Sequence, residues 1–416
     1  MNVTGTAGEA KRVPALRFPE FSGAWEEKRL GEMFSFKNGF NADKTMYGTG
    51  RKFINVMDVI ADHPITSEKI IGLVEISDKD FEKNEVEYGD ILFQRSSETR
   101  EEVGQTNVYL DKDTSATFGG FVIRGKPIVR LNSEFFNRLL MTAAVRRQVT
   151  NRSGGSTRYN VGQESLSSVP VYPAPTLPEQ KKIAAFLGVV DAKIAALKAR
   201  QEGLERYKRG LMQALFSQRL RFTKPDGTAF PDWEEKRLGE VADIVGGGTP
   251  DTNVKDYWNG EVVWFTPSEI KKKYLTTSVR TISKSGLSAS SAKILPVGAL
   301  VLSTRATVGD VGIATQECAT NQGFQSLVMK EENLNEFWYY WLVNNKKALL
   351  RRSAGSTFLE IGKSEVRKIP ALAPHRDEQQ KIAEALQAMD AKIAAVAGQV
   401  AKMEEFKKGL LQQMFV

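Results

Sequence analysis

The chain is written twice, and a duplicated sequence must be folded as two copies of one unit. The octapeptide WEEKRLGE occurs at residues 25–32 and again, unchanged, at 233–240. Each copy follows an aromatic-proline lead-in, Phe18-Pro19 and Phe230-Pro231. RSGGST at 152–157 returns as RSAGST at 352–357, and EQKKIA at 179–184 as EQQKIA at 378–383. DAKIAA at 191–196 is identical to 390–395, and YKRGLMQ at 207–213 becomes FKKGLLQ at 406–412. The matches keep one order and a period of about 200 residues in a chain of 416.

The likeness is uneven. It is strong in the lead-ins and in the last stretch of each copy, and weak between them, roughly 33–150 against 241–350. A few anchors survive there: Ala116-Thr117 with Gly120-Phe121, against Ala319-Thr320 with Gly323-Phe324. A unit that keeps its scaffold while its interior diverges is suited to reading two different things. Two copies that bound one ligand would have no reason to diverge.

The interiors are mixed. Apolar runs at 91–93 and 299–302 follow Gly89-Asp90 and Val297-Gly298 and predict strands after turns. Residues 132–147 and 333–351 carry apolar and aromatic side chains at helical spacing, including Phe337, Trp338, Trp341 and Leu342, which predicts a helix packed on a sheet. Residues 178–216 differ in kind. Ile183, Leu187, Val190, Ile194, Leu197, Leu204, Leu211 and Leu215 step by four and three, with Gln201 and Lys208 in the two remaining seam positions. In the second copy Ile382, Leu386, Met389, Ile393, Val396, Val400, Met403, Leu410 and Met414 repeat the pattern. Each is a heptad seam of about five heptads, a helix of roughly 55–60 Å whose apolar stripe needs a partner. The equal partner is the other copy. Antiparallel pairing returns Val416 to the first lead-in, residues 17–25, and so gives both lead-ins like surroundings. Asp191 with Lys193, and Asp390 with Lys392, lie off the seam yet are repeated, which points to a repeated partner.

The expected fold class is therefore α+β: two mixed α/β domains separated by two long antiparallel coiled-coil helices, with an internal pseudo-two-fold repeat. The boundaries read 1–24 for the lead-in, 25–176 for the first domain and 177–218 for the first helix. A linker at 219–232, the second domain at 233–376 and the second helix at 377–416 complete the chain.

LRFPEFSGAWEEKRLGE at 16–32, GSTRYNVG at 155–162, LPEQKKIAAFL at 177–187, ATNQGF at 319–324 and KGLLQQMF at 408–415 together resemble the specificity subunit of type I restriction–modification enzymes. The resemblance covers nearly the whole chain. It implies two target recognition domains, each reading one half of a bipartite double-stranded DNA target. It implies helices that serve as spacer and as docking scaffold for two DNA-methyltransferase subunits, with restriction/translocase subunits added. Adenine methylation, S-adenosylmethionine binding and DNA cleavage would then reside in those partners.

A net charge of +8 and a pI near 9.2 suit a partner made of phosphate, against the plainer alternative of a solvated basic surface. Arg146, Arg147, Arg152 and Arg158 surround the RSGGST loop with its Ser156 and Thr157. Lys346, Lys347, Arg351 and Arg352 take the same place beside Ser356 and Thr357. Backbone amides in such loops, flanked by arginines, can grip phosphate, although cations at a helix end also complement its dipole. Base readers should come from divergent loops. Arg95, Ser96, Ser97 and Arg100 are candidates in the first copy, and Lys271, Lys272, Lys273, Tyr274 and Arg305 in the second.

Motifs for chemistry are not found. No Pro-Pro occurs for an amino-methyltransferase loop, and Gly362-Lys363-Ser364 has Thr357 where a P-loop needs glycine. Pro225-Asp226 with Glu234 and Lys236 imitates a nuclease motif inside a linker and a repeated lead-in. His63 lies near Asp58 and Asp62, but Pro64 and a loop-like setting favour a surface histidine. No catalytic residue, metal or cofactor is expected. A stand-alone nuclease or methyltransferase with unrecognised motifs is the alternative, and a coiled-coil scaffold without DNA a third. The single Cys318 rules out an intramolecular disulfide and reads as a small buried residue. No run approaches the roughly eighteen apolar residues of a membrane span or forms a signal peptide, so the expected compartment is the cytoplasm.

Overall fold

Unbroken helical periodicity produces the two longest elements, helices Leu177–Phe216 of 40 residues and Arg376–Met414 of 39. The computed structural model describes residues 12–353 and 360–416. The chain forms two units, Met1–Leu197 with Gln399–Val416 and Lys198–Gly398, so each long helix gives one portion to each unit.

In the first unit a four-stranded antiparallel sheet runs in the order Phe34–Asn38, Val122–Pro127, Ile91–Gln94, Thr106–Val108. A three-stranded sheet joins Leu73–Val74, Tyr47–Ile54 and Thr117–Phe118, the last pairing parallel. The second unit has a five-stranded sheet, Ala242–Gly246, Gln325–Met329, Leu300–Leu302, Val311–Ala314 and Tyr274–Leu275. Its three-stranded partner is Arg280–Ile282, Trp258–Phe265 and Cys318–Thr320. Strands and helices thus mix in each copy, as expected for an α+β fold.

The helical stretches at 132–147 and 333–351 are each broken in two, as Ser133–Leu140 and Ala143–Asn151, and as Asn335–Asn344 and Lys346–Arg351. Polar side chains at the breaks take over backbone carbonyls. The Thr142 hydroxyl donates to the Leu139 carbonyl at 2.7 Å, and Asn345 Nδ2 to that of Trp341 at 2.9 Å. Phe135, Phe136, Leu139 and Leu140 share one buried cluster with Ile91, Phe93, Ile183 and Leu187, so this helix lies between the sheet and the long helix. Phe337, Trp338, Trp341 and Leu342 do the same in the second unit with Leu300, Ile382 and Leu386.

Within each unit the long helices run antiparallel. In the first, Lys407 Nζ lies 2.7 Å from Asp191, and nearer the helix start Arg17 binds Glu179 while the adjacent Leu16 amide donates to Gln413 at 2.9 Å. Phe415 packs edge-on to Trp25, with centroids 6.2 Å apart. In the second, Lys208 pairs with Asp390, and Met212 and Leu215 share a core with Ile382 and Leu386. Of the seam side chains, Ile183, Leu187, Val190, Ile194, Leu197, Ile382, Leu386, Met389, Val396, Val400 and Leu410 are buried. Leu204, Leu211, Ile393 and Met403 are half-buried, seam residues Leu215 and Met414 are buried, and the off-seam Met212 is buried beside the half-buried Leu211.

The repeated aspartates have work inside the fold. Asp191 accepts from Arg138 at 2.8 Å and binds Lys407, while Asp390 accepts from the Tyr340 hydroxyl at 2.5 Å and binds Lys208. Contacts within the fold account for the repeated aspartates, because each joins its own helix to the opposite helix and to a domain helix, while Lys193 and Lys392 are exposed. The repeated Glu-Gln pairs do the same for the lead-ins. Glu179 accepts Arg17 at 2.7 and 2.9 Å, and Glu378 accepts Arg221 at 3.1 and 2.8 Å. Gln180 and Gln379 accept the Asn132 and Leu334 amides at 3.0 and 2.9 Å.

The interior anchors align one residue away from their sequence match. The amides of Gly119 and Asn321 donate to Ile54 and Phe265, and those of Arg95 and Thr304 to Phe121 and Gly323. Phe121 is therefore the counterpart of Gly323, and Val122 that of Phe324. Burial fixes this register: Val122 and Phe324 are fully buried, whereas Phe121 is 61% exposed.

Candidate nucleic-acid interface

Ser96–Ser97 pairs antiparallel with Tyr159–Asn160, which joins the divergent stretch after the central strand to the Gly-Ser-Thr loop. The second unit builds the same frame: Arg305 bridges Glu360. The amides of Val161 and Ile361 donate to the carbonyls of Arg95 and Thr304, each at 3.0 Å. Beneath each pair a buried side chain holds the backbone, with Gln94 Nε2 donating to the Ser96 carbonyl at 3.0 Å and Ser303 Oγ to the Arg305 carbonyl at 3.1 Å. The frame closes at Gly104 and Gly309, both at positive φ (71° and 87°), whose amides donate to Gln94 and Ser303.

What differs is the content. Between the shared points lie eight residues, 96–103, in the first unit and four, 305–308, in the second. The Ser96 hydroxyl donates to Asn160 Oδ1, whereas at the equivalent place Arg305 Nε lies 3.8 Å from Glu360. Ala306, next to Arg305, holds φ at 64°, a conformation that disfavours a side-chain-bearing residue. In the first unit Ser96, Arg158, Val56 and the exposed Phe121 line a cleft of about 200 Å³.

The candidate residues divide. Arg147, Ser156, Thr157 and Arg158 are exposed in the first unit, and Lys271, Lys272, Arg305, Lys347, Arg351 and Arg352 in the second. Ser356 and Thr357 lie outside the described residues. Arg100 donates to the Thr150 carbonyl at 3.2 Å, and Lys346 binds Asp310 at 2.5 Å. Others are engaged by partners within their own unit, although Tyr274 remains exposed. Arg146 donates to the carbonyls of Glu101 and Val103 at 2.8 and 2.6 Å, and burial lowers its pKa. Arg152 is held by Ser168 at 3.2 Å and by Gln148 at 2.7 Å. Arg95 donates to the Gly120 carbonyl at 3.1 Å, and Ser97 to Glu102 at 2.9 Å. Lys273 binds Glu336 at 2.6 Å and the Tyr340 hydroxyl at 2.9 Å, while Tyr274 donates to Glu336 at 2.9 Å. The common cause is that donors beside helix ends and returning loops find carbonyls and carboxylates to satisfy.

Asn160 and Glu360 are additions that sequence reasoning did not single out. The available signal is the frame around them: YNVG at 159–162 and LEIG at 359–362 keep a β-branched apolar residue followed by glycine, while the residue before changes from asparagine to glutamate. Among the described residues no group of three or more His, Cys, Asp or Glu side chains is placed to hold a metal ion, and no helix is long and apolar enough to cross a membrane. Cys318 is buried, which pushes its thiol up to about 12.

Two stretches, residues 23–206 and 231–405, match the family model of the type I restriction modification DNA specificity domain. The type I restriction enzyme MjaIX specificity subunit of Methanocaldococcus jannaschii is 31% identical over 212 residues, about half of each chain (50% of this one and 49% of the relative). The putative MjaX specificity subunit of the same organism is 24% identical over 405 residues, 93% of this chain and 92% of that one. The S subunit structure of a type I restriction-modification system from M. genitalium shares the fold with a TM-score of 0.57 at 14% identity, covering 97% of this chain and 99% of its own. A second structure, from work on complex assembly and conformational transition of the type I R-M system, aligns with a TM-score of 0.63 at 18% identity, covering 94% and 97%. Since the specificity domain is matched twice and those matches take in most of the sequence, the chain belongs to the family of type I restriction–modification DNA specificity subunits.

Proposed function

We propose that each unit reads one half of a bipartite double-stranded DNA target, and that the chain itself performs no catalysis. The long helices act as spacer and as docking scaffold for two DNA-methyltransferase subunits, to which restriction/translocase subunits are added. Adenine methylation and cleavage belong to those partners. The observation that carries this reading is the shared frame with unlike contents: equivalent backbone bonds hold Ser96 with Asn160 in one unit and Arg305 with Glu360 in the other. A frame repeated with different side chains is what two different sequences require.

The test is to express the chain with its methyltransferase partner and map the methylated adenines by sequencing. A two-part motif separated by unread bases is expected. A continuous motif, or methylation by this chain alone, would overturn the reading.

Phosphate contact falls to the exposed Arg158 and Arg352. Replacing either by alanine should lower affinity on all sequences alike and reduce the slope of log affinity against log salt by about one. The methylated motif should stay unchanged. Arg152→Ala should instead lower stability, since its guanidinium holds Gln148 and Ser168. Titration of binding at several salt concentrations, beside thermal unfolding, separates the two. An unchanged slope for Arg158→Ala would remove it from the interface.

A further inference from the structure

We propose that the base-reading element of each unit is a cross-strand side-chain pair, Ser96 with Asn160 in the first and Arg305 with Glu360 in the second, and that the pair's chemistry sets which base pair is read. This rests on the DNA-reading function above. Directly opposed residues of an antiparallel bridge present their side chains on one face, so each pair projects as a unit. The second pair is not kept for folding strength. Arg305 and Glu360 are 44% and 49% exposed and 3.8 Å apart, a geometry that contributes little stability. The frame beneath them is rigid and repeated: buried Gln94 and Ser303 hold the carbonyls of Ser96 and Arg305, and the strained Ala306 fixes the turn beside Arg305. Rigid support under exposed, divergent side chains is how a reading site is made precise.

The chemistry follows from what each side chain can bond. The arginine fork donates twice to guanine O6 and N7, and a carboxylate accepts from cytosine N4. Arg305 and Glu360 together therefore suit the two partners of one G·C pair. An asparagine amide accepts from adenine N6 and donates to N7, and serine bonds either base. Ser96, whose hydroxyl bonds Asn160 Oδ1, orients that amide, so the first unit suits an A·T pair at the equivalent position. Phe121, exposed in the same cleft, supplies apolar surface for a thymine methyl group, whereas its counterpart is Gly323.

The experiment selects the complex of this chain with its methyltransferase partner on a duplex library of random sequence. Three variants are compared with the natural chain: Arg305→Ser with Glu360→Asn together, the reciprocal Ser96→Arg with Asn160→Glu, and Arg305→Lys alone. The natural chain should select two half-motifs, with a G·C pair in the one read by the second unit. The first variant should replace that pair by A·T and lose about tenfold to a hundredfold on the original target, with the other half-motif unchanged. The reciprocal variant should alter only the first unit's half. Arg305→Lys keeps the charge and loses the fork, so it should relax the guanine preference while non-specific affinity is kept. Thermal unfolding verifies that each variant is folded. If the natural chain selects no two-part motif, the DNA-reading function itself fails. If it does, and folded variants select the unaltered motif, this inference alone fails.

Discussion

Glu378→Ala is expected to destabilise the second unit by about 3–5 kcal/mol, the usual cost of removing one partner from a buried ion pair. The Glu378 carboxylate is 0% exposed and accepts three donors: Arg221 Nε at 3.1 Å, Arg221 NH2 at 2.8 Å and the Trp233 indole N–H at 3.0 Å. Its hydrogen bonds to Arg221 raise the pKa of that guanidinium. It also lies in the first turn of its helix, where the exposed amides and the dipole favour an anion. Truncation leaves the guanidinium, only 23% exposed, and the indole N–H without their acceptor, and these desolvated donors are the source of the cost. Arg221 further donates to the Pro231 carbonyl at 2.6 Å, so the lead-in should loosen with it. In the first unit Glu179→Ala removes a bidentate partner of Arg17 but no indole bond, because Trp25 Nε1 has no partner among the described residues. Its cost should be smaller. Urea unfolding of both variants measures the difference, and a loss under about 1 kcal/mol for Glu378→Ala would mean that water replaces the carboxylate.

This pair marks the border of what can be read from sequence. The duplication, the two long helices and their antiparallel pairing follow from repetition and heptad spacing, which are local properties. The repeat of Glu-Gln at 179–180 and 378–379 is equally plain, yet its purpose depends on Arg17 and Arg221, the latter 157 residues from its partner. Asp191 and Asp390 stand off the seam as sequence indicates. Their partners Arg138 and Tyr340 come from domain helices whose approach no spacing reveals. Charge clusters mislead for the same reason. Arg146 and Arg158 look alike as letters, but the 96–103 loop folds over one and supplies its carbonyls, while the other remains exposed. Lys273 reads as part of a basic patch until Glu336 and Tyr340 close around it. What a letter in a basic cluster cannot show is which carbonyls and carboxylates its own unit brings to it, and that is why Arg158 stays exposed while Arg146 does not.

Under the proposed function, which has two methyltransferase subunits dock on the helices, Tyr207→Ala with Phe406→Ala is expected to abolish that docking. Tyr207 and Phe406 are equivalent in the repeat and 63% and 51% exposed. The residues that follow, Lys208 and Lys407, reach across to Asp390 and Asp191. One residue turns a helix by about 100°, so each aromatic stands well away from the seam that its neighbour closes. An exposed aromatic on an otherwise polar helix face gains most by entering a partner's pocket, and truncating such an anchor typically costs about 2 kcal/mol or more of binding, roughly thirtyfold in affinity. Tyr207→Ala alone should leave a complex that saturates with one methyltransferase subunit at concentrations where the natural chain holds two. Phe406→Ala should do the same at the other site, and the double variant should hold none. Because both side chains are exposed, unfolding free energies should move by no more than about 0.5 kcal/mol, which separates docking from folding. Native mass spectrometry of the assembled complexes counts the subunits. Two subunits on the double variant at unchanged affinity would place the docking surface elsewhere on the helices.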